Sequence, residues 1–570
     1  MDKSGTRHWL DRYGTGYHAW NRDRDEFSRP CGLCEFKFDC DGRYFEGRAD
    51  VNSLLSINVS TRISDQKLQH HILLAFTLLR LRHCLLTARA ELRTREVEPW
   101  FLVGIPRSSE AAIQEAGSGL RFIDSAADGV SDIHDFYTHA QNGKRIISPS
   151  ECLARVFVLS KTTEGSTRQT LHFLFVMAHQ IVDGLTSMNW MADFVRIINT
   201  PTEELRRRIE AAISPDSIRA NLPPAQEDLY APVAATKARA RWFWAITLIL
   251  RHVERPLPAA FPNPLRRATP LSAARPFSPK YAKFLDYSQT PPLNTFYVRL
   301  QLSPAASQRL YRLCKEAKAS IGAGGFVLVG MAMMAVHEAR YPDEPDSARR
   351  PFVGSFPLNP RPFFGAKNIL ESVMLAFSKG IVLPFLPSRL DVEGRFKLLV
   401  RQAGRQLSAY QKRDRLRDPS AALAYMGIKG PGRLIATNYI DGIERLRGIL
   451  PPHLKDELPP PQGVYEVPSW AVSKATCGVS SIGAVDWSAL KFDLEADPGD
   501  GVVASVEGLT SGVRVRESEF LVGTWSEDGI ISAGISFDGN FIDETIAHLW
   551  IEKMKSILEV SDEPDLKSRL

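Results

Sequence analysis

The residues of this chain best suited to chemistry lie in one short stretch, Ala178-His179-Gln180-Ile181-Val182-Asp183-Gly184. An apolar run of strand length, 171–177, leads into His179. A neutral imidazole has a pKa near working pH, so it can take a proton from an alcohol or thiol as that group attacks a carbonyl. The alternative is a buried histidine bonded to backbone and followed by an Asp-Gly turn. Spacing alone does not separate these two interpretations.

Two predicted elements hold this histidine in place. The strand ends at His179, and residues 185–198 follow with the apolar pattern of a helix. Upstream, residues 53–63 alternate as a half-buried strand does, and Ser64 is placed to cap a helix that begins at Asp65. Further strands are predicted over 100–103 and 154–160, and residues 31–40 are expected to enter a strand.

The second half of the chain shows the same succession of strand and helix. A strand is predicted over 295–302, a helix capped by Ser303 with Pro304 at its first position, and an apolar helix over 322–337. The predicted elements that complete the second half are strands over 352–358, 437–440 and 476–486, a hairpin over 521–537 and a helix over 543–558.

Residues 221–292 are rich in Pro and Arg, which is typical of a linker, and one helix is predicted within them over 242–250. We therefore expect an N-terminal lobe over 1–235, a linker over 236–294 and a C-terminal lobe over 295–570.

Composition limits the possible partners. The chain has 570 residues, 44% of them hydrophobic, which is enough for more than one core. Its formal net charge of +6 suits an anionic ligand but is too weak and dispersed to indicate nucleic acid. The polar start predicts no signal peptide, and the apolar run 242–250 is shorter than the roughly 20 residues that span a bilayer. We expect a cytoplasmic protein with no integral membrane segment.

The seven cysteines favour reduced thiols over a metal site. Cys31 and Cys34 form one CxxC pair, but neither a second pair nor a nearby histidine completes a zinc set. No metal is therefore expected.

Four stretches in this order resemble acyl-CoA-dependent acyltransferases of the chloramphenicol acetyltransferase, condensation-domain and plant-type acyltransferase superfamily. Residues 178–184 resemble its HHxxxDG motif, with Ala178 in place of the first histidine. Residues 79–89, with Arg82-His83 followed by Arg89, are similar to its first-helix signature. Residues 478–486 resemble the Ser-Asn-x-Gly strand of the alcohol acyltransferase branch, with Ser481 where many relatives have Asn. Residues 529–540 and the helix after them are similar to the family's last hairpin and helix. Length, mild basic charge and the type of loops favour a resemblance to the fungal alcohol O-acetyltransferases.

The resemblance implies an α/β fold with mixed sheets, in which two chloramphenicol-acetyltransferase-like lobes surround a central tunnel. It implies a monomer that binds no cofactor and uses acetyl-CoA or another acyl-CoA as cosubstrate, with a small-molecule alcohol, such as a terpenoid, as acceptor. His179 would be the general base. Asp183 would support it by pairing with Arg361, although a solvated turn arginine is an equal alternative.

The remaining site residues follow from the same resemblance. Ser480 or Ser481 would help to hold the oxyanion, unless both are strand serines satisfied by backbone. Gly184 would let the backbone turn tightly beside the substrate and the base. His83 is expected to pack or cap at a helix end.

Three other functions compete with this one. A free-standing condensation enzyme would take its acyl group from a carrier protein, and the net charge does not separate that donor from CoA. A catalytically silent scaffold would keep the fold, but the presence of both His179 and Asp183 argues against it. A serine hydrolase is disfavoured because the chain has no Gly-x-Ser-x-Gly elbow.

Overall fold

The first of two large sheets carries the apolar run that leads to His179. In this computed structural model it contains five strands, Val51–Thr61 (β3), Leu120–Asp124 (β6), Ala154–Thr162 (β7), Arg168–Met177 (β8) and Val502–Val513 (β15). They pair in the order β15-β3-β8-β7-β6, all antiparallel except β6 with β7. The structure describes residues 12, 14–93, 98–125, 127–130, 132–162, 168–230, 236, 238, 242, 257–272, 276–291, 293–364, 369–378, 380–410, 439, 442–455, 457–458, 475–499 and 501–559.

Helices and a small sheet surround this first sheet. The helices are Leu33–Tyr44 (α1), Asp65–Arg82 (α2), Ser109–Ser118 (α3), Ile133–Asn142 (α4), Gly184–Ile198 (α5), Thr202–Ala212 (α6) and Pro215–Asn221 (α7). The small antiparallel sheet, in the order β1-β2-β5-β4, contains Asn21–Asp23 (β1), Glu26–Pro30 (β2), Arg89–Glu91 (β4) and Trp100–Gly104 (β5). Together these elements enclose the larger of two hydrophobic cores.

The second large sheet is also mixed and has the order β13-β10-β14-β16-β17-β9. Its strands are Thr295–Gln301 (β9), Phe352–Ser355 (β10), Ile381–Leu383 (β13), Cys477–Val485 (β14), Phe520–Glu527 (β16) and Ile530–Asp538 (β17), and two short strands, Pro357–Leu358 (β11) and Ala376–Phe377 (β12), pair beside it. The helices that the structure describes in this half are Pro304–Glu316 (α8), Ile321–Arg340 (α9), Val392–Tyr410 (α10), Pro452–Lys455 (α11) and Glu544–Ser556 (α12). Four of them, α8, α9, α10 and α12, pack around a second core.

The chain therefore has the expected α/β fold with mixed sheets and two lobes. Strand β15 shows that the lobes are not divided at one point in the sequence. It belongs by position to the second half, yet it pairs along β3 and forms the outer strand of the first sheet. The predicted C-terminal lobe over 295–570 thus contributes a complete strand to the other lobe.

Most predicted elements are present with shifts of one to three residues at their ends. The caps at Ser64 and Ser303 are confirmed, since each hydroxyl accepts a backbone N–H of the following helix. The prediction of a strand near 31–40 is wrong because residues 33–44 form helix α1. The helix predicted over 242–250 and the strand over 437–440 lie outside the described residues, apart from Trp242 and Tyr439.

Helix α1 escapes sequence patterning because it has no solvent face. Nine of its twelve residues are buried, including Glu35, Asp39 and Asp41. Its start is fixed by Gly32, whose backbone N–H donates to Glu35 Oε2 at 2.7 Å.

One helix in the described part of the chain, α9, is long and apolar enough to cross a membrane. Of its 18-residue apolar window, 78% is buried inside the structure, as is typical of the core helix of a lobe.

Candidate active site

His179 lies in the turn that joins β8 to α5. The strand ends at Met177, and the backbone N–H of Ala178 donates to Leu153 O at 2.9 Å. A turn then closes with Ile181 N donating to Ala178 O at 3.1 Å, before α5 begins at Gly184. The imidazole is thus held between a strand end and a helix start, which restricts its position on both sides.

The imidazole ring is held by Phe38 of α1. The two rings are stacked with centroids 3.8 Å apart and an interplanar angle of 6°. Nδ1 of His179 is buried and hydrogen-bonds to no described residue. Burial lowers the pKa of His179 to about 4, and the positive charge of Arg516 acts in the same direction. The ring is therefore neutral near pH 7 and able to accept a proton.

Asp183 caps helix α5 and also pairs with an arginine from the other half of the chain. Its Oδ1 accepts the N–H of Thr186 at 3.0 Å, and its Oδ2 accepts Arg361 Nη2 at 2.6 Å and Met374 N at 2.9 Å. Both side chains of the ion pair are almost fully buried. The structure thus brings Asp183 and Arg361 together, and it connects the His179 turn to Arg361 and Met374.

A cavity of about 450 Å³ lies between the two sheets, with His179 on its wall. Its first side is formed by the His179 turn and by the ends of β3 and β15. Its second side is formed by the faces of β14, β16 and β17. A space of this size falls within the usual range for a small-molecule site.

The two candidate serines of β14 lie on opposite faces of that strand. Ser480 lines the cavity. Ser481 faces α9, since its Oγ is 3.0 Å from the point that a Cβ on Gly322 would occupy. Only Ser480 is therefore placed where a hydroxyl can meet a molecule in the cavity.

Gly184 also lines the cavity. The expectation that the backbone needs a glycine here in order to turn beside the base is wrong. The φ of Gly184 is outside the left-handed region, so the turn does not require glycine there. A Cβ at this position would meet no atom within 4 Å. The glycine leaves open space beside the base.

Besides Phe38, the sequence does not predict four further residues near the base, which we call the Arg516 cluster: Lys37, Asp41, Arg516 and Glu519. Arg516 donates Nε to Asp41 Oδ2 at 3.1 Å and Nη1 to Glu519 Oε1 at 3.1 Å, and its Nη2 also contacts Asp41. Lys37 Nζ donates to both oxygens of Asp41, at 2.7 and 2.8 Å. The two halves of the cluster are more than 470 positions apart in sequence, so no local pattern joins them.

His83 lies at the end of α2, as expected, and is buried between two carboxylates. Its Nε2 is 3.0 Å from Asp193 Oδ2, and its Nδ1 contacts Glu371. Burial opposes protonation, but these two hydrogen bonds outweigh it and raise the pKa of His83. The side chain acts as a link between α2, α5 and residues 369–374, away from the cavity.

The fold is shared with enzymes and enzyme domains of the acyltransferase and condensation superfamily. The chain superposes on trichothecene 15-O-acetyltransferase from Fusarium sporotrichioides with a TM-score of 0.62 and 12% identity, over 95% of this chain and 97% of that one. It superposes on the epimerization domain from the third module of tyrocidine synthetase B with a TM-score of 0.51 and 12% identity, over 93% and 95%. For the EpoB cyclization–docking bidomain from Sorangium cellulosum the TM-score is 0.50 and the identity 11%, over 96% and 87%.

These similarities define the class of fold, which is that of the two-lobed chloramphenicol-acetyltransferase-like and condensation-domain proteins. The fold implied by the sequence resemblance is thereby confirmed. No protein-family model matches the sequence, and no curated protein sequence matches it. At 11–12% identity the superpositions carry the fold alone.

Proposed function

We propose that this chain is an O-acyltransferase that moves an acetyl or other short acyl group from acyl-CoA to a hydroxyl of a specialised metabolite, such as a terpenoid alcohol. The observation that carries the proposal is His179, a neutral imidazole on the wall of an interlobe cavity. A buried base with a low pKa is a weak proton acceptor, so it acts best on a hydroxyl that is losing its proton as it attacks.

The proposed reaction is a direct transfer. His179 takes the proton of the acceptor hydroxyl while the oxygen attacks the thioester carbonyl. The tetrahedral intermediate then collapses, so the new ester C–O bond remains, the C–S bond breaks, and CoA leaves as a thiolate that His179 can reprotonate. No acyl-enzyme is required. The cavity supports this by holding both reactants away from bulk water, which contributes proximity and limits hydrolysis.

Phe38 and the Asp183–Arg361 pair would support this reaction at His179 without touching the transferred group. Phe38 stacks on the ring and keeps its plane fixed, while the Asp183–Arg361 pair holds the turn that carries it. Ser480 is the described hydroxyl on β14 that faces the cavity, and it is our candidate donor to the oxyanion.

The first test is release of free CoA thiol from acetyl-CoA in the presence of polycyclic terpenoid alcohols. We expect alcohol-dependent release by the wild type and a loss of roughly 10²–10⁴-fold in His179→Ala, the usual contribution of a general base. His548→Ala is the matched control, because His548 is exposed on α12, and it should keep full activity.

Two outcomes would contradict the proposal in different ways. Turnover that is unchanged in His179→Ala would exclude this residue as the base. Turnover that appears only when the acyl group is presented on a phosphopantetheinyl carrier protein would replace the CoA donor and favour a free-standing condensation enzyme.

A further inference from the structure

One part of the cavity wall is polar and lies next to the base. Arg516 and Glu519 of the Arg516 cluster both line the cavity, and Phe38 contacts both His179 and Arg516, with the guanidinium 5.9 Å from its ring centre. The side chain of Arg516 is 31% exposed and that of Glu519 is 22% exposed, whereas Asp41 is only 2% exposed. Arg516 and Glu519 therefore present polar surface to whatever occupies the cavity.

These two side chains keep hydrogen-bonding capacity for a ligand. Three of the five guanidinium N–H groups of Arg516 are used on Asp41 and Glu519 within the described residues. The carboxylate of Glu519 accepts two bonds, from Arg516 Nη1 and from the Arg516 backbone N–H, out of about four that a carboxylate can accept. A donor and an acceptor thus lie side by side, which matches a hydroxyl group, and the donor alone matches a carbonyl.

The polar surface carries no net charge. Lys37 and Arg516 balance Asp41 and Glu519 within the cluster. The other charged side chains that the structure describes on the wall are also paired: Asp183 with Arg361 at 2.6 Å and Glu527 with Arg299 at 3.8 Å. Because an unpaired charge brought against this wall loses hydration without gaining a partner, the wall disfavours an ionised group on the acceptor.

Much of the remaining wall is apolar. Met188, Phe356, Leu375 and Leu509 border the cavity, and Gly184 leaves room beside the base. Apolar walls favour a hydrocarbon body through removal of its surface from water.

From this arrangement we propose that the cavity selects an uncharged, largely hydrocarbon acceptor that carries a second oxygen function, a hydroxyl or a carbonyl, bound by Arg516 and Glu519. This inference rests on the proposed function only because it places the reacting hydroxyl of the acceptor at His179. The acceptor is then at least doubly oxygenated.

The test measures binding by titration calorimetry and needs no turnover. Three matched sesquiterpenoid probes are used: a mono-alcohol, the diol with a second hydroxyl, and the hydroxy acid with a carboxylate in place of that second hydroxyl. Wild type should bind the diol about tenfold or more tightly than the mono-alcohol, the usual effect of a hydrogen bond to a charged group, and it should bind the acid more weakly than the diol.

Glu519→Gln keeps a side-chain oxygen that can accept from Arg516 but gives the cluster one excess positive charge. In this variant the preference for the diol over the mono-alcohol should shrink, and the affinity for the acid should rise above that for the diol. Glu517→Gln is the matched control, since Glu517 is exposed in the same segment, and it should bind all three probes as wild type does. Arg516→Lys, which retains the charge but not the planar fork, should also lose the preference for the diol.

Equal affinity of wild type for diol and mono-alcohol would overturn the inference, as would tighter binding of the acid than of the diol, or no binding of any of the three probes. A preference for the diol that survives in both Glu519→Gln and Arg516→Lys would overturn it too. His179→Ala should keep the wild-type preference. A wild type that binds the diol preferentially but releases no CoA thiol would therefore contradict the proposed function and leave this inference standing.

Discussion

At the scale of single residues, the surroundings of His179 adjust one property, the proton affinity of its ring. Burial is the main cause of the lowered pKa, and Arg516 adds to it, while Asp183 and Asp41 oppose it. Phe38 adds a second effect. The face of the Phe38 ring attracts the positively charged form of the imidazole more strongly than the neutral form. Phe38 therefore favours the imidazolium, which forms only as the acceptor is deprotonated.

The lowered pKa predicts the acid limb of the activity. A histidine with a pKa of about 4 stays neutral as the pH falls from 7 to 5, whereas an unperturbed one, with a pKa near 6.5, would be mostly protonated at pH 5. We expect kcat/KM for a fixed alcohol to hold through pH 5 and to fall as the pH approaches about 4. Rates measured from pH 4 to 8, with folding checked by circular dichroism at each pH, would test this. Half-maximal kcat/KM near pH 6.5 would show that the ring is solvated.

At the scale of elements, the sequence predicts best where a pattern has one interpretation. The sequence pattern predicts the β8–α5 unit within three residues, because an apolar run and a helical stripe flank His179. Helix α1 was misread because it is buried on nearly every side, and with it Phe38 and Asp41 were missed. Strand β15 was not predicted, since Gly508 and Gly512 interrupt its pattern, yet its end forms part of the cavity wall.

The Asp183–Arg361 pair can be tested as a joint between elements. Asp183→Asn keeps a side chain that can cap α5 but leaves the buried Arg361 without its charge partner. Breaking a buried pair on one side should lower the free energy of unfolding by about 3–5 kcal/mol and reduce activity as well. Urea unfolding followed by circular dichroism measures the change.

Asp543→Asn is the matched control for that measurement. Asp543 caps α12 and pairs with Arg267, but both side chains are partly exposed, so the same substitution should cost less than about 1 kcal/mol. Equal costs at the two sites would mean that Arg361 finds other compensation, for example from the carbonyl of Ser372.

At the scale of the whole molecule, the site exists because the two halves of the chain interlock. Strand β15 completes the first sheet, and Phe364, Val373 and Met374 from the second half of the chain belong to the first core. The lobe contacts could not be read from the sequence, because they join residues hundreds of positions apart whose local patterns are ordinary. The resemblance implies the two-lobed plan, whereas the polar wall of the cavity depends on contacts that no local pattern encodes.

His83 is one of these long-range links, and it should make the stability of the molecule depend on pH. Its pKa is raised in the folded state, so its contribution is fully present below the unfolded pKa near 6.5 and is lost as the pH rises through the folded value. We expect the free energy of unfolding to fall as the pH rises above about 6.5 and through the raised folded pKa of His83. Urea unfolding at a series of pH values should show a shallower fall in His83→Gln, which cannot titrate. The same slope in wild type and in this variant would assign the pH dependence to other groups and would mean that His83 is held by packing alone.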